Sequence, residues 1–440
     1  MKILLLGFNV QESVFPLGLM YLKGYLLKYH PDVEIDLKEF SFGNRQSYET
    51  NKNLELQVLS YILLSKPEVV AFSNYIWSGE MAQDFARAIK VLDPTITVVL
   101  GGVEVDRKHL RSEIDFIVVG EGEIALKELV DFLKGERVIE EVHNILCVRE
   151  GRVVETVKKE VENLDEIPFP YRCSEVKHFQ ALRVETARGC VFNCNFCHYA
   201  KPAFRTFSLP YLRENLEYLF SEFSFHNLTF IDANFNTHKE RMFTLLDMVE
   251  EYTLKYGKKI EVHCELRPEL IDAEMVERIE KYSFALRCEL GFQSSSSEVL
   301  RLANRPTNME KVRVALGLLN TSRIKYKIDL MYGLPGDTFF SFLQSMRFLL
   351  KYALRQKKVV AHHFMLLNNT TFNDVKFNDG GFNDTTHFTD NNNNNNNIGG
   401  VVRFTPLASS MVIKTQTQDV LELYLTKLFV DMVNEELGCY

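Results

Sequence analysis

Leu182-Arg183-Val184-Glu185-Thr186-Ala187-Arg188-Gly189-Cys190-Val191-Phe192-Asn193-Cys194-Asn195-Phe196-Cys197 decides the fold. Residues 183–186 read as a short strand, and the chain leaves it directly into three cysteines spaced C-x3-C-x2-C. Three of the eight cysteines crowd into this stretch, while Cys147, Cys173, Cys264, Cys288 and Cys439 are scattered. In a long chain with no secretory leader, such crowding favours a metal site in a reducing compartment, the cytoplasm, over a disulfide framework. Iron–sulfur clusters are held by cysteine thiolates. Four irons with three thiolates leave one iron open to a substrate or cofactor, and Gly189 lets the backbone pass close to such a group. Two other readings share the spacing. One is half of a zinc site, with Cys190 or His198 completing Cys194 and Cys197; the other is a chance grouping of structural cysteines.

Downstream, apolar strands alternate with amphipathic helices. Strands are expected at 183–186, 228–231, 260–264, 285–290, 325–332 and 359–366. Helices are expected near 209–223, 239–254, 270–281, 296–303, 309–320 and 338–353. Six βα units make a partial (β/α)6 barrel of the TIM type, over residues 181–367. Parallel barrels carry their chemistry at the carboxyl ends of their strands, which is where the cysteines fall.

Upstream, residues 1–140 alternate in the same way. Strands at 2–6, 69–73, 97–100 and 115–119 are separated by helices at 17–29, 82–91 and 124–133. This predicts a doubly wound, Rossmann-like α/β domain, with ligands at the carboxyl edge of its sheet. Residues 141–180 read as a linker with a small hairpin. Residues 368–400, with seven consecutive asparagines at 391–397, read as a disordered segment or insertion. Residues 401–440 read as a small helical C-terminal region.

The 440 residues carry 51 lysines plus arginines against 59 acidic residues, a net charge of −8, which gives no reason to expect nucleic acid as a partner. The apolar run after Met1 is too short for a signal peptide, and no stretch of about 18 apolar residues suggests a transmembrane helix.

The cysteine spacing, its place after the first barrel strand, and Phe196 before the third cysteine resemble the radical SAM superfamily. The resemblance continues through Phe230-Ile231-Asp232-Ala233-Asn234-Phe235, then Glu289-Leu290-Gly291-Phe292-Gln293-Ser294 with Asn304-Arg305, then Asp329-Leu330-Met331-Tyr332-Gly333-Leu334-Pro335-Gly336. It implies a [4Fe–4S] cluster on Cys190, Cys194 and Cys197, whose open iron chelates S-adenosylmethionine (SAM). One-electron reduction then yields a 5′-deoxyadenosyl radical that takes hydrogen from an unactivated carbon. It makes Phe196, Asp232, Glu289, Gln293, Ser294, Arg305, Asp329, Gly333 and Pro335 candidates for the cofactor pocket. An external electron donor such as flavodoxin or ferredoxin is implied as well. Two plainer readings stay open: Glu289 and Asp329 as partners of buried backbone donors, and 333–336 as an ordinary turn.

The N-terminal part resembles the cobalamin-binding domain that precedes some radical SAM domains. The matching stretches are Pro16-Leu17-Gly18-Leu19, Ser73-Asn74-Tyr75-Ile76-Trp77, Leu100-Gly101-Gly102-Val103-Glu104 and Gly120-Glu121-Gly122-Glu123. This makes Gly18, Ser73, Tyr75, Trp77, Gly101, Gly102, Glu104, Gly120 and Glu121 candidates for a cobalamin site. The D-x-H-x-x-G motif that supplies a cobalt-ligating histidine in many cobalamin enzymes is absent. His30 and His109 lack its context and read as surface histidines. Cobalt without a histidine on its lower face suits a methyl carrier.

Tyr199 and His363 are candidate catalytic residues. His362 and His363 alternate in direction, so one of them faces the barrel interior. The loop after the sixth strand, Leu366-Leu367-Asn368-Asn369-Thr370-Thr371, lacks the L-P-G-T of relatives. Taken together, these residues indicate a cobalamin-dependent radical SAM methyltransferase acting on a small molecule or peptide. The rivals are a radical cyclase or rearrangement enzyme with the same cofactors, and a non-enzymatic cobalamin or redox sensor. A methylthiotransferase is disfavoured, since the first 146 residues hold no cysteine for a second cluster.

Overall fold

Strand Lys2–Asn9 is buried over six consecutive residues, 3–8, as a strand covered on both faces must be. It lies near one end of a seven-stranded sheet in the order Glu34–Ser41, Lys2–Asn9, Val69–Ser73, Thr97–Gly101, Phe116–Val118, Ile145–Arg149, Arg152–Glu155. The first five strands are parallel and the last two antiparallel. Helices Leu17–Tyr29 and Gly122–Leu133 bury Leu19, Leu26, Ala125 and Leu129 on one face, with Ile3 and Leu5. Helices Tyr48–Ser65 and Gly79–Leu92 bury Val58, Ile62, Phe85 and Ile89 on the other, with Leu4 and Leu6. The unit is therefore doubly wound. Strand order reverses between Lys2–Asn9 and Val69–Ser73, which places a ligand crevice at their carboxyl ends.

The computed structural model describes residues 1–9, 16–41, 48–353, 359–372, 385–389, 397–404, 410–414 and 420–437. They divide into two units, Met1–Lys177 and His178–Tyr440. The hairpin expected in the linker is strands Ile145–Arg149 and Arg152–Glu155, which extend the first sheet, with Cys147 buried beneath it. Strand Glu34–Ser41 was not expected, because its charged residues break the apolar run. It is the edge strand, and an edge tolerates that pattern.

In the second unit six parallel strands run in sequence order: Ala181–Val184, Asn227–Phe230, Glu261–Leu266, Ala285–Gln293, Lys325–Tyr332 and Val359–His363. Their burial alternates. In Ala285–Gln293, Leu286, Cys288, Leu290 and Phe292 are buried, while Arg287, Glu289, Gly291 and Gln293 lie on the other, more open face. One face packs on helices and the other lines a polar interior. The helices start where side chains can cap them. Ser208, Asp272, Ser296, Asn308 and Thr338 each accept a hydrogen bond from the backbone N–H three residues on.

The sixth strand ends at His363 rather than 366. Met365–Leu366 then opens a four-stranded antiparallel sheet with Ser410–Lys414, Asn397–Phe404 and Thr385–Thr389. Among the described residues of the C-terminal region, Val420–Leu437 is the helix. Asparagines 391–396 lie outside the described residues.

Candidate functional site

The cysteine loop begins on a buried carboxylate. Asp232, just past the second barrel strand, accepts the backbone N–H of Thr186 at 2.7 Å and of Ala187 at 3.1 Å, and also takes the Thr186 hydroxyl. Burial pushes the Asp232 carboxyl up against these bonds. Asp232 therefore clasps the entrance of the loop. At Gly189 the backbone takes φ +74°, and a Cβ there would sit 2.6 Å from the carbonyl oxygens of both Pro202 and Ala203. Only glycine fits without displacing the loop. Ala187–Arg188 pairs with Arg205–Thr206 and closes it.

The middle of the loop is tied to helix Ser297–Leu302. Asn195 donates its backbone N–H to the Ala303 carbonyl at 3.0 Å and its amide to the Leu302 carbonyl at 2.9 Å. Asn304 donates back to the Asn193 carbonyl at 2.7 Å. Phe196 packs among Val299, Leu334, Phe364, Leu366 and Phe372. Cys194 is buried, and Cys190 and Cys197 are half-buried. Burial raises the Cys190 thiol and pushes Cys197 up to about 11, while the backbone N–H groups of Phe192 and Tyr199 and the nearby arginines pull the other way. The sulfurs lie close together: Cys194 adds to the rise of both Cys190 and Cys197.

Two arginines back this loop. Arg305 Nη1 donates to the Cys194 sulfur at 3.6 Å, and Nη2 donates to the Gly291 carbonyl. The Arg267 guanidinium lies 3.9 Å over the Phe192 ring. Arg267 is bonded to Glu269 at 2.6 Å and to the Pro306 carbonyl at 2.9 Å. Arg305 Nε and Arg267 Nη1 are buried donors with no partner. This donor set fits an anionic iron–sulfur cluster: three thiols, inward N–H groups and spare positive charge. Among the described residues no three His, Cys, Asp or Glu side chains converge on a single ion, as zinc would need. A four-iron cluster takes one thiolate per iron and does not require them to meet at a point.

Below the loop the barrel interior holds Glu289, Asp329, Lys327, His263 and His362. Lys327 Nζ lies 2.7 Å from Glu289 and 3.9 Å from Asp329. His362 lies 3.3 Å from Asp329 and His263 4.0 Å from Glu289. Burial, aided by Asp329, pushes Glu289 up to about 7. For Asp329 burial also works against ionisation, but His362, Glu289 and Lys327 outweigh it and hold the carboxyl low. The interior histidine is His362. His363 points to the other face and stacks on Tyr332 at 4.8 Å.

Gln293 sits at φ +69° beside a register shift in the strand, and the buried Ser294 lies against Ser345. In the 333–336 turn, Gly333 has φ +81° and donates to Asp337 at 3.3 Å, and Pro335 is buried. Tyr199 is exposed beside the cysteines. Sequence reasoning passed over Arg267, Lys327 and His263. Their one available signal was position: His263 and Lys327 lie at non-buried places within alternating barrel strands, and Arg267 directly follows the third strand.

In the first unit the candidates gather at the carboxyl edge of the parallel strands. Tyr75 and Trp77 stack at 4.8 Å with their ring planes 4° from parallel, and Trp77 Nε1 donates to the Phe8 carbonyl at 3.0 Å. A Cβ on Gly18 would lie 3.9 Å from the Tyr75 hydroxyl. Gly102, at φ +111°, lets the Asn74 backbone approach so closely that a Cβ would sit 2.5 Å from its carbonyl oxygen. Ser73 and Gly101 end neighbouring strands, and Gly120, at φ +102°, follows the next. Glu104 is buried. The Glu121 carboxylate is engaged by the Val161 N–H at 2.8 Å. The two histidines read as surface residues are not. His30 is 5% exposed and pairs with Asp131 at 3.2 Å, and His109 is held between Asp106 at 2.9 Å and Asn74 at 3.4 Å.

With this geometry the comparisons agree. The profile of the radical SAM superfamily matches residues 184–349, and that of the B12 binding domain residues 3–130. The chain thus carries a B12 binding domain followed by a radical SAM domain. It is 28% identical over 244 residues to an uncharacterized methyltransferase of Pyrococcus horikoshii, covering 51% of this chain and 50% of that one. It is 26% identical over 312 residues to the cobalamin-dependent radical SAM methyltransferase TokK of Streptomyces tokunonensis, covering 65% and 45%. The solved structure of OxsB, a cobalamin-dependent SAM radical enzyme with aqua-cobalamin and SAM bound, superposes with a TM-score of 0.68 at 17% identity, covering 99% of this chain and 67% of that one. That likeness concerns the fold. The chain spans about half the length of the curated relatives it matches. Among the described residues no helix is long and apolar enough to cross a membrane.

Proposed function

We propose that this chain is a cobalamin-dependent radical SAM methyltransferase that methylates an unactivated carbon of a small molecule or peptide. The observation that carries the reading is the three-thiol loop at the carboxyl end of the first barrel strand, backed by two buried arginines. Cys190, Cys194 and Cys197 would hold the [4Fe–4S] cluster, and Gly189 and Asp232 hold the loop in shape for it. Glu289, Gln293, Ser294, Arg305, Asp329 and the 333–336 turn line the region for SAM. Gly18, Ser73, Tyr75, Trp77, Gly101, Gly102, Glu104 and Gly120 form the edge for cobalamin, with the Tyr75–Trp77 stack as an apolar platform. When bound, these groups supply hydrogen abstraction from carbon and a transferable methyl group. Methyl transfer is supported by the methyltransferase names of relatives such as TokK.

The chain's own part is to bind, orient and keep charge in place. Glu289 and Asp329 share Lys327 and are pushed apart, Glu289 up to about 7 and Asp329 low, so that Asp329 gives up its proton first. His362 completes that set by donating to Asp329. Tyr199, exposed beside the cysteines, would meet substrate. An external one-electron donor of the flavodoxin or ferredoxin kind fits the need for reduction.

The test is metal content and product mass. The chain, purified without oxygen and reconstituted with iron, sulfide and cobalamin, should hold about four irons and about one cobalt. Product from a turned-over substrate should gain one methyl group. A product without that gain refutes methyl transfer in favour of cyclisation or rearrangement, and zinc in place of iron refutes the cluster.

A further inference from the structure

We propose that Arg305 sets the reduction potential of the cluster, acting through the Cys194 sulfur. The proposal rests on the reading that Cys190, Cys194 and Cys197 hold a four-iron cluster. Arg305 is 8% exposed. Its Nη1 reaches the Cys194 sulfur at 3.6 Å, its Nη2 the Gly291 carbonyl, and its Nε is a buried donor with no partner. Among the described residues no carboxylate pairs with it. The neighbouring ion is Arg267, of like charge, and Glu269 is already committed to Arg267. A buried cation without a counter-ion is costly, and the anionic groups that the described residues bring to it are the thiolates.

The side chain is built to stay there. Its backbone N–H donates to the Leu300 carbonyl at 2.8 Å, and Asn304 beside it is bonded to the Asn193 carbonyl inside the cysteine loop. Gly291 leaves room for the guanidinium, since a Cβ there would lie 3.1 Å from Nη2. Hydrogen bonds to the sulfurs and nearby charge are what set the potential of such clusters. Reduction adds one electron from an external donor and makes the cluster more negative. A fixed positive charge on a ligand sulfur favours that step. Binding of SAM by the same side chain would not by itself move the potential of SAM-free protein, so the two roles separate cleanly.

The experiment is a dithionite-mediated redox titration, followed by electron paramagnetic resonance, of the full reconstituted chain without SAM. Arg305→Gln should keep wild-type iron while its reduced-to-oxidised ratio at a fixed potential falls about tenfold, a shift of about 59 mV to the negative for one electron. Arg305→Lys, which keeps the charge, should fall between. Gly291→Ala, which crowds the guanidinium, should shift the midpoint in the same direction. An unchanged SAM-free midpoint in Arg305→Gln, even with weaker SAM binding, overturns the proposal. If Arg305→Gln takes up no iron, Gly291→Ala decides: a negative shift supports the proposal, and either an unshifted midpoint or loss of iron, which marks a purely structural clamp, overturns it. Wild-type protein that takes up no iron would instead refute the cluster reading beneath it.

Discussion

Gly189→Ala should cost the cysteine loop most of its iron while leaving the barrel folded. The new Cβ would sit 2.6 Å from two carbonyl oxygens and 2.9 Å from the Ala203 carbonyl carbon, all backbone, so no side chain can swing aside. Holding a non-glycine residue at φ +74° adds about 1–2 kcal/mol of strain. Overpacking adds about 1–3 kcal/mol more. The chain escapes this total of about 2–5 kcal/mol by separating Ala187–Arg188 from Arg205–Thr206, the two-residue pairing that closes the loop. That pairing is short and lies outside the main sheet, so it gives way before the barrel does. The assay pairs iron content after anaerobic reconstitution with thermal unfolding of the same samples. Iron should fall severalfold while Tm moves by only a few degrees. A variant with full iron and an unchanged Tm would refute the argument that these carbonyls fix the loop.

Other expectations follow from the same geometry. Cys194→Ala should abolish iron retention, checked by iron and sulfide analysis, with the fold intact by circular dichroism. Glu289 in the folded chain has its pKa raised to about 7, so the folded state holds that proton more tightly than the unfolded one. Its contribution is therefore fully present below the usual glutamate value and is lost as pH rises through about 7; Glu289→Gln, which mimics the protonated form, should flatten Tm against pH between 4.5 and about 7, the unfolded and folded values, and an unflattened profile would count against the raised pKa. Trp77 is 41% exposed, so Trp77→Ala should cost little stability. It should weaken cobalamin binding about tenfold, the scale of about 1.4 kcal/mol, read by equilibrium dialysis; unchanged affinity would remove the Tyr75–Trp77 platform from the site.

Much of the architecture was legible because strand and helix periods differ. Leu17–Tyr29, Val69–Ser73 and Lys325–Tyr332 fall where the apolar spacing puts them. The cysteine loop was legible because three thiols in eight positions are rarely accidental. What was not legible depends on partners distant in sequence. His362 and His363 are adjacent, and only pairing with Met331 and Tyr332 decides which one faces inward. His30 reads as a surface residue until the helix Gly122–Leu133 brings Asp131 to it. Arg267 sits in an unremarkable Leu-Arg-Pro stretch, and its place over Phe192 arises from the folding of a loop some 70 residues upstream, at 192 against 267. Asp232, a candidate for the cofactor pocket, also clasps the backbone of Thr186 and Ala187, an arrangement set by the neighbouring strand.

The short helix Ser297–Leu302 touches both banks of the barrel mouth. On one side its last carbonyl and that of Ala303 receive Asn195 from the cysteine loop. On the other, Leu302 lies so near the glycine turn that a Cβ on Gly336 would stand 2.6 Å from it. The six residues therefore act as a gauge block, and the spacing between thiols and turn is one helix thick. Redesign of this protein for bulkier ligands has to leave the inward residues Val299, Leu300 and Leu302 alone, because any change in their girth would resize both banks at once.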